Sequence, residues 1–240
     1  GFNPSELARL LDKLEVEQPL YGQLVAFNRE SRVRGLVQEH SEAAPEYRRP
    51  YLVFEQDADE LAVFENELVH GLLQTPEYAY TVIAEMAPGM SDEDVHRRVG
   101  LRMARQRVLT EDEPLVYWVI LTEAVLRIAV GGPKVMVDQL HQLIALAKLK
   151  NVTMQVLPQS AGAHAAMGSP FTILGFDDED DLDLVYVEDI ATSHLLEKPE
   201  QLAAYTVAFN RLRAAALSPE SSVALLQQVA NEWSAQETGG

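Results

Sequence analysis

Between positions 116 and 188 the hydrophobic residues fall into short β-branched and aromatic runs, at 116–121, 152–157, 171–174 and 184–187, each bounded by Gly, Pro, Asn, Asp or other turn residues. Runs of this length and composition predict buried strands. Between the first two, Met136, Leu140, Leu143 and Ala147 recur at helical spacing behind Pro133, which predicts a helix over 135–148. A helix joining two strands is a crossover, and it makes them parallel. A small-residue loop over 158–169 precedes the third strand. The acidic stretch from Asp177 to Asp183 reads as a solvated turn between the last two.

Helical patterns flank this unit. Asn3, Pro4 and Glu6 mark a helix start, followed by Leu7, Leu10, Leu11 and Leu14 on one face; a second pattern carries Leu20, Leu24, Phe27, Val33 and Leu36 to about position 38. Residues 41–50 are polar and proline-punctuated and read as a linker. Asp57 with Glu60 reads as a capping pair and 63–65 as a short extended piece. Thr75-Pro76 predicts a helix over 76–86. Ser91 with Asp94 predicts one to about 109 carrying Val95, Val99, Met103 and Val108. Lys198-Pro199 opens a helix with Leu202, Tyr205, Phe209 and Leu212 inward; Ser218-Pro219 opens another with Val223, Leu226, Val229 and Trp233. The expected fold class is α+β: a small mixed sheet packed with helices, preceded by an N-terminal helical remnant and followed by two C-terminal helices. The expected divisions are 1–40 helical remnant, 41–50 linker, 51–233 main domain and 234–240 disordered tail.

Composition narrows the function classes. No apolar run approaches the roughly 20 residues a membrane span needs, so no membrane role is expected. The chain has no cysteine, which removes disulfides, thiolate metal sites and thiol nucleophiles and agrees with a cytoplasmic setting. With 37 acidic and 19 basic residues the formal charge is −18, which repels nucleic acid and favours a basic partner.

The candidate chemistry is sparse. Arg98, Arg102 and Arg105 stand at i, i+4 and i+7 and share a helical face; guanidinium forks suit carboxylate or phosphate recognition, although such rows more often pair with the protein's own carboxylates. Glu123 and Arg127 suit an intrahelical pair, yet Glu123 also falls at a strand end, where open sheets place ligands. His164 sits in a glycine-bearing loop and could contact a ligand or sense pH, or simply bond backbone. A small-molecule pocket would lie beside His164, near Glu123, Arg102 and Tyr186. The other histidines show no metal-ligand spacing, and the acidic stretch lacks the glycine and terminal glutamate of a calcium loop, so no metal and no cofactor are expected. There is no Gly-x-Ser-x-Gly elbow and no phosphate loop, so the expectation is a protein that is not an enzyme.

Several segments taken in order carry a resemblance: 67–79 (Glu-Leu-Val-His-Gly-Leu-Leu-Gln-Thr-Pro-Glu-Tyr-Ala), 98–106 (Arg-Val-Gly-Leu-Arg-Met-Ala-Arg-Gln), 121–127 with Gly131, Gly132 and Pro133, 151–158, 160–164, 168–171 and 185–188. Over roughly residues 51–217 the chain resembles the DUF5753 domain, the C-terminal part of actinobacterial XRE-type helix-turn-helix regulators, also described as Scr1-family and antitoxin-like. It departs from the family at His70, where proline is usual, and near Leu36, where an aromatic is usual. The resemblance implies that residues 4–38 are the last helices of a DNA-binding domain whose helix-turn-helix would precede Gly1, so that DNA is bound only through residues outside this chain. It also implies a signal-receiving, dimerising domain that binds a small, basic partner protein, with small-molecule sensing as the alternative. Gln106, which ends the second matching run, joins Arg98, Arg102, Arg105, Glu123, His164 and Tyr186 as a candidate ligand or partner contact.

Overall fold

The structure is a computed structural model that describes residues 44–177 and 183–239, with Leu7, Leu10, Leu11, Lys13, Leu14 and Val16 ahead of them. Its centre is a six-stranded mixed sheet. In chain order the strands are β1 (Glu60–Glu65), β2 (Val116–Thr122), β3 (Val152–Leu157), β4 (Phe171–Gly175), β5 (Leu184–Glu188) and β6 (Ser193–Leu196). In space the order is β3-β2-β1-β4-β5-β6. β1 and β2 are parallel, as are β2 and β3, while β4, β5 and β6 each run antiparallel to the neighbour before them. The chain therefore builds outward from β1 on one side, then crosses β1 to build on the other.

Among the described residues there are seven α-helices: α1 (Arg49–Asp57), α2 (Pro76–Met86), α3 (Asp92–Arg105), α4 (Glu123–Arg127), α5 (Pro133–Leu146), α6 (Pro199–Ala215) and α7 (Pro219–Gly239). Local chemistry sets the starts of several of them. Thr75 caps α2 by accepting from the Tyr78 N–H at 3.3 Å, and Ser91 caps α3 by accepting from the Asp94 N–H at 3.2 Å. Such caps satisfy amides that a helix start leaves without carbonyl partners. Proline occupies the first turn of α1, α2, α5 and α6, where its missing N–H costs nothing.

The α+β class and the parallel pairing of β2 with β3 agree with the sequence reading. Four local features do not. Asp57 and Glu60 form no capping pair, because Glu60 begins β1, the central strand; being covered on both faces, β1 shows little alternation, and its terminal glutamates disguise it. β6 is short and polar at its start and gave no strand signal. Residues 44–50 are no bare linker: Glu46–Arg48 form a 3-10 turn that runs into α1, with Pro50 in its first turn. That turn is held to the sheet, since Arg48 pairs with Glu188 at 2.7 Å and the Ser193 hydroxyl donates to the Tyr47 carbonyl at 2.6 Å. At the other end, residues expected to fray continue α7 to Gly239.

The sheet has two covered faces. On one, α1, α2, α3, α5 and α7 pack over Leu61, Val63, Tyr117, Val119, Met154 and Tyr186. On the other, α6 and the loop after β3 pack Phe209, Leu212 and Ala166 over Phe64, Ile120, Phe171 and Val185. Leu7 and Leu11 are helical and buried, while Leu10 and Leu14 of the same expected face are exposed. The second N-terminal pattern, at 20–38, and the middle of the acidic stretch, 178–182, lie outside the described residues.

Candidate functional site

The first face of the sheet carries charge where an apolar core is expected. Glu65 ends β1, Tyr186 and Glu188 lie toward the end of β5, and Thr172 lies near the start of β4 between them. All four line a cleft at this edge of the sheet, at the place where the chain crosses β1. Opposite stands α3, whose i, i+4, i+7 row presents Arg98, Leu101, Arg102 and Arg105 to the same space. The cleft has two lobes. One, of about 320 Å³, lies between α3, α2 and the segment Ala44–Arg48; the other, of about 280 Å³, reaches Glu65, Tyr51, Gln74 and Phe171. Arg48, Val82, Met86, Arg102, Arg105, Glu188 and Ile190 line both, so the lobes adjoin.

Of the four guanidinium groups at the cleft, Arg98 lines only the first lobe, and the other three are in different states. Arg105 is bound twice by Glu55, Nε to Oε2 at 2.7 Å and Nη2 to Oε1 at 2.6 Å, in the fork geometry that suits a carboxylate. Burial works against both charges, but Arg105 outweighs it and holds the Glu55 carboxyl below its ordinary range. Arg48 pairs with Glu188, which also accepts from the Tyr186 hydroxyl at 2.8 Å. Arg102 has no carboxylate. Its Nη1 donates to the neutral Gln74 Oε1 at 2.8 Å, and no ion pair reaches it among the described residues. Burial, aided by the like charges of Arg48 and Arg105, lowers Arg102 to about 9, which leaves it a cation at neutral pH. Glu65 is the complementary case: burial pushes its carboxyl up to about 8 against the pull of Arg48, so it is protonated at neutral pH.

Beneath the cleft runs a linear chain of buried hydrogen bonds. The Tyr51 hydroxyl donates to Glu55 Oε1 at 2.5 Å, which leaves its oxygen to accept from His70 Nε2 at 3.3 Å; His70 Nδ1 then accepts from the Tyr117 hydroxyl at 2.8 Å. This assignment of the His70 tautomer follows from its partners. Tyr51 also stacks on Tyr186, ring centres 4.0 Å apart. Burial holds His70 down at about 3 despite the nearby Glu55 charge. Because the unfolded imidazole titrates near ~6.5, the unfolded chain gains a proton here as pH falls through that value, and the folded chain does not until about 3. Stability is therefore lost across that window on acidification. Replacing His70 by Gln should flatten the acid limb by about one proton, or ~1.4 kcal/mol per pH unit, in urea unfolding between pH 4 and 6; parallel limbs for the two proteins would contradict this.

The loop His70–Thr75 is stitched in place by three glutamines. Gln74 Nε2 donates to the Val69 carbonyl at 2.6 Å, Gln106 Nε2 to the Gly71 and Gln74 carbonyls at 3.1 and 2.7 Å, and Gln139 Nε2 to the Leu73 carbonyl at 2.8 Å while its Oε1 accepts from the Thr75 N–H. The middle of the matching run, 69–75, is thus a loop whose backbone groups are satisfied by side chains, and Gln106 serves that loop.

Of the residues singled out in the sequence, Arg102, Arg105 and Tyr186 meet at the cleft, and Arg98 lines one lobe. His164 and Glu123 stand apart. His164 lies across the sheet, edge-on to Phe64 with ring centres 5.5 Å apart, and its Nδ1 accepts from the Ala166 N–H at 3.4 Å. Glu123 follows β2 directly, pairs with Arg127 at 2.9 Å and accepts from the Gln159 N–H at 3.1 Å, while Arg127 reaches on to Glu232 at 2.7 Å. That triad clips α4, α7 and the turn after β3 together. Sequence reasoning missed Arg48, Tyr51, Glu55, Glu65, His70 and Glu188, for which the i, i+4 spacing of Tyr51 and Glu55 is the sole local hint. Among the described residues, no group of three or more His, Asp or Glu is placed to hold a metal ion, and no helix is long and apolar enough to cross a membrane.

Fold and site together define a mixed-sheet α+β domain that carries a basic cleft at one sheet edge inside an acidic chain. Residues 48–228 match the family described as Domain of unknown function (DUF5753), and the chain belongs to that family. No curated protein and no solved structure matches it.

Proposed function

We propose that this chain is the signal-receiving domain of a helix-turn-helix transcriptional regulator, and that its signal is a small molecule held in the cleft. One observation carries the reading: Arg102 is a cation without a carboxylate partner, facing a cleft with apolar walls at Val82 and Met86. A few convergent polar groups in an apolar concavity are the mark of a ligand site. The domain acts by occupancy and not by turnover. An occupant of the first lobe meets Pro45 and Tyr47 directly, so binding biases the segment through which a preceding DNA-binding domain would be joined, and differential affinity for two positions of that segment is all a switch needs.

A second reading, a homodimer that pairs antitoxin-like with a small basic protein, is favoured by the net charge of −18, which speeds and selects a basic partner. The two separate in a thermal-shift screen against small organic acids, bases and neutral compounds. A true ligand at a hundred-fold excess over Kd adds ~2.7 kcal/mol, or a rise of roughly 5–10 °C for a chain of this size. The rise should disappear in Met86→Trp, which fills both lobes from an exposed position. Hits that persist in Met86→Trp, or no hit beside nanomolar capture of a co-expressed basic protein, would turn the assignment to the second reading.

A further inference from the structure

We infer that the cleft takes an amphiphilic monocarboxylate, its carboxylate on Arg102 and Glu65 and its apolar body against Val82, Met86 and Leu52; this rests on the reading of the cleft as a ligand site. The charge count sets the head group. In the lobe that holds Glu65, Arg48 and Arg105 are each neutralised by a carboxylate of the protein, Glu188 and Glu55, which leaves Arg102 over; Arg98 lines only the other lobe. One surplus cation calls for a monoanion. A phosphate dianion beside Glu65 would need a second free guanidinium there; Arg98 lines only the other lobe, and Arg48 and Arg105 would have to abandon carboxylates held at 2.7 and 2.6 Å to supply it.

Glu65 decides between a carboxylate and a zwitterion. It lines the lobe that Arg102 also lines, and no hydrogen bond or ion pair engages its side chain among the described residues. Raised to about 8 by burial, its carboxyl is an O–H donor at neutral pH, and a protonated acid gives a short, strong hydrogen bond to a carboxylate. An amino acid would instead require Glu65 to ionise against its own ammonium in this buried position. The groups facing Glu65 from the packed elements are Arg48, Arg102, Glu188, Tyr78 and Tyr117; of the two cations only Arg102 has no carboxylate partner. The apolar body follows from the lining: Leu52 of α1 and Val82, Ile83 and Met86 of α2 wall the first lobe, with Leu101 of α3. Volumes of about 320 and 280 Å³ lie just above and just below the lower bound of ligand pockets, ~300 Å³, and suit a chain of medium length. Ile190, 88% exposed and yet at the rim of both lobes, is placed to cover such a chain.

The test is calorimetric titration of the whole chain with octanoate, octanamide, octylammonium, octyl phosphate and 2-aminooctanoate. The expected result is octanoate tightest, with octanamide weaker by about 10-fold or more, as loss of a charge-assisted pair requires. That margin should vanish in Arg102→Gln and shrink in Arg102→Lys, which keeps the charge if the glutamine variant folds poorly. Octanoate affinity should also begin to fall near pH 8, where Glu65 ionises, and Glu65→Gln should move the fall up toward pH 9, where Arg102 loses its charge. Tighter binding of octyl phosphate or of 2-aminooctanoate overturns the monocarboxylate, as does equal binding of octanamide. If these fail while other compounds still give shifts that Met86→Trp removes, the ligand class is wrong and the cleft remains a receiver. If nothing binds in a manner sensitive to Met86→Trp, both readings fall.

Discussion

Replacing Arg105 by Met should lower the unfolding free energy by about 3–5 kcal/mol, the largest effect expected of any single charge among the described residues. The reason is the state of its partner: Arg105 and Glu55 are 12% and 3% exposed, and the substitution leaves a buried carboxylate with only the Tyr51 hydroxyl to compensate it. Taking an ion out of water is tolerable when its counter-charge goes with it, and costly when it does not. Arg105→Met combined with Glu55→Leu should therefore recover much of the loss, since two apolar side chains bury without any charge left over. Urea unfolding of the two single variants and the double variant gives the coupling directly. A single-variant loss under about 1 kcal/mol, or a double variant worse than both singles, would show that the pair is not what holds α1 to α3.

The second large effect lies away from any charge. Gln139→Leu should cost about 2–5 kcal/mol, because it strands two buried backbone groups, the Thr75 N–H and the Leu73 carbonyl, each worth ~1–3 kcal/mol when left without a partner. Leucine nearly matches glutamine in volume, so the loss reports hydrogen bonding and not a cavity. The effect should spread to the cleft. Gln74 sits in the loop that Gln139 anchors and its Oε1 positions Arg102, so amide exchange at 73–75 should quicken and the affinity conferred by Arg102 should drop together. Faster exchange confined to α5, with the loop unchanged, would place the role of Gln139 elsewhere.

These two cases show where reading the sequence stops. Strand β2, helix α5 and strand β3 were legible because each buries one stripe or a continuous run, and burial leaves a period that a single chain displays. Helices α2 and α3 were legible through Thr75 and Ser91, since caps act within four residues. Strand β1 was legible only in part, as the extended piece at 63–65, although it lies in the middle of the sheet: it is buried on both faces and framed by Glu60 and Glu65, so neither alternation nor polarity marked its full length. The arginine row of α3 was visible as a face, but its division into a paired Arg105 and an unpaired Arg102 was not. Glu55 lies 50 positions from Arg105, and no local spacing encodes that meeting. His164 and Glu123 were plausible by residue type and turned out to serve the far side of the sheet and a surface clip.

Local and periodic information in the chain was sufficient to determine its class, its helix starts, the parallel unit at its centre and, through the ordered segments, its family. Tertiary structure alone decided the site, because a cleft is made of residues brought together from β1, β5, α1 and α3. What gives them their chemistry is burial: it neutralises Glu65 and His70, binds Arg105 to Glu55, and leaves Arg102 facing space. Desolvation depends on everything packed around a group, and so it is written only in three dimensions.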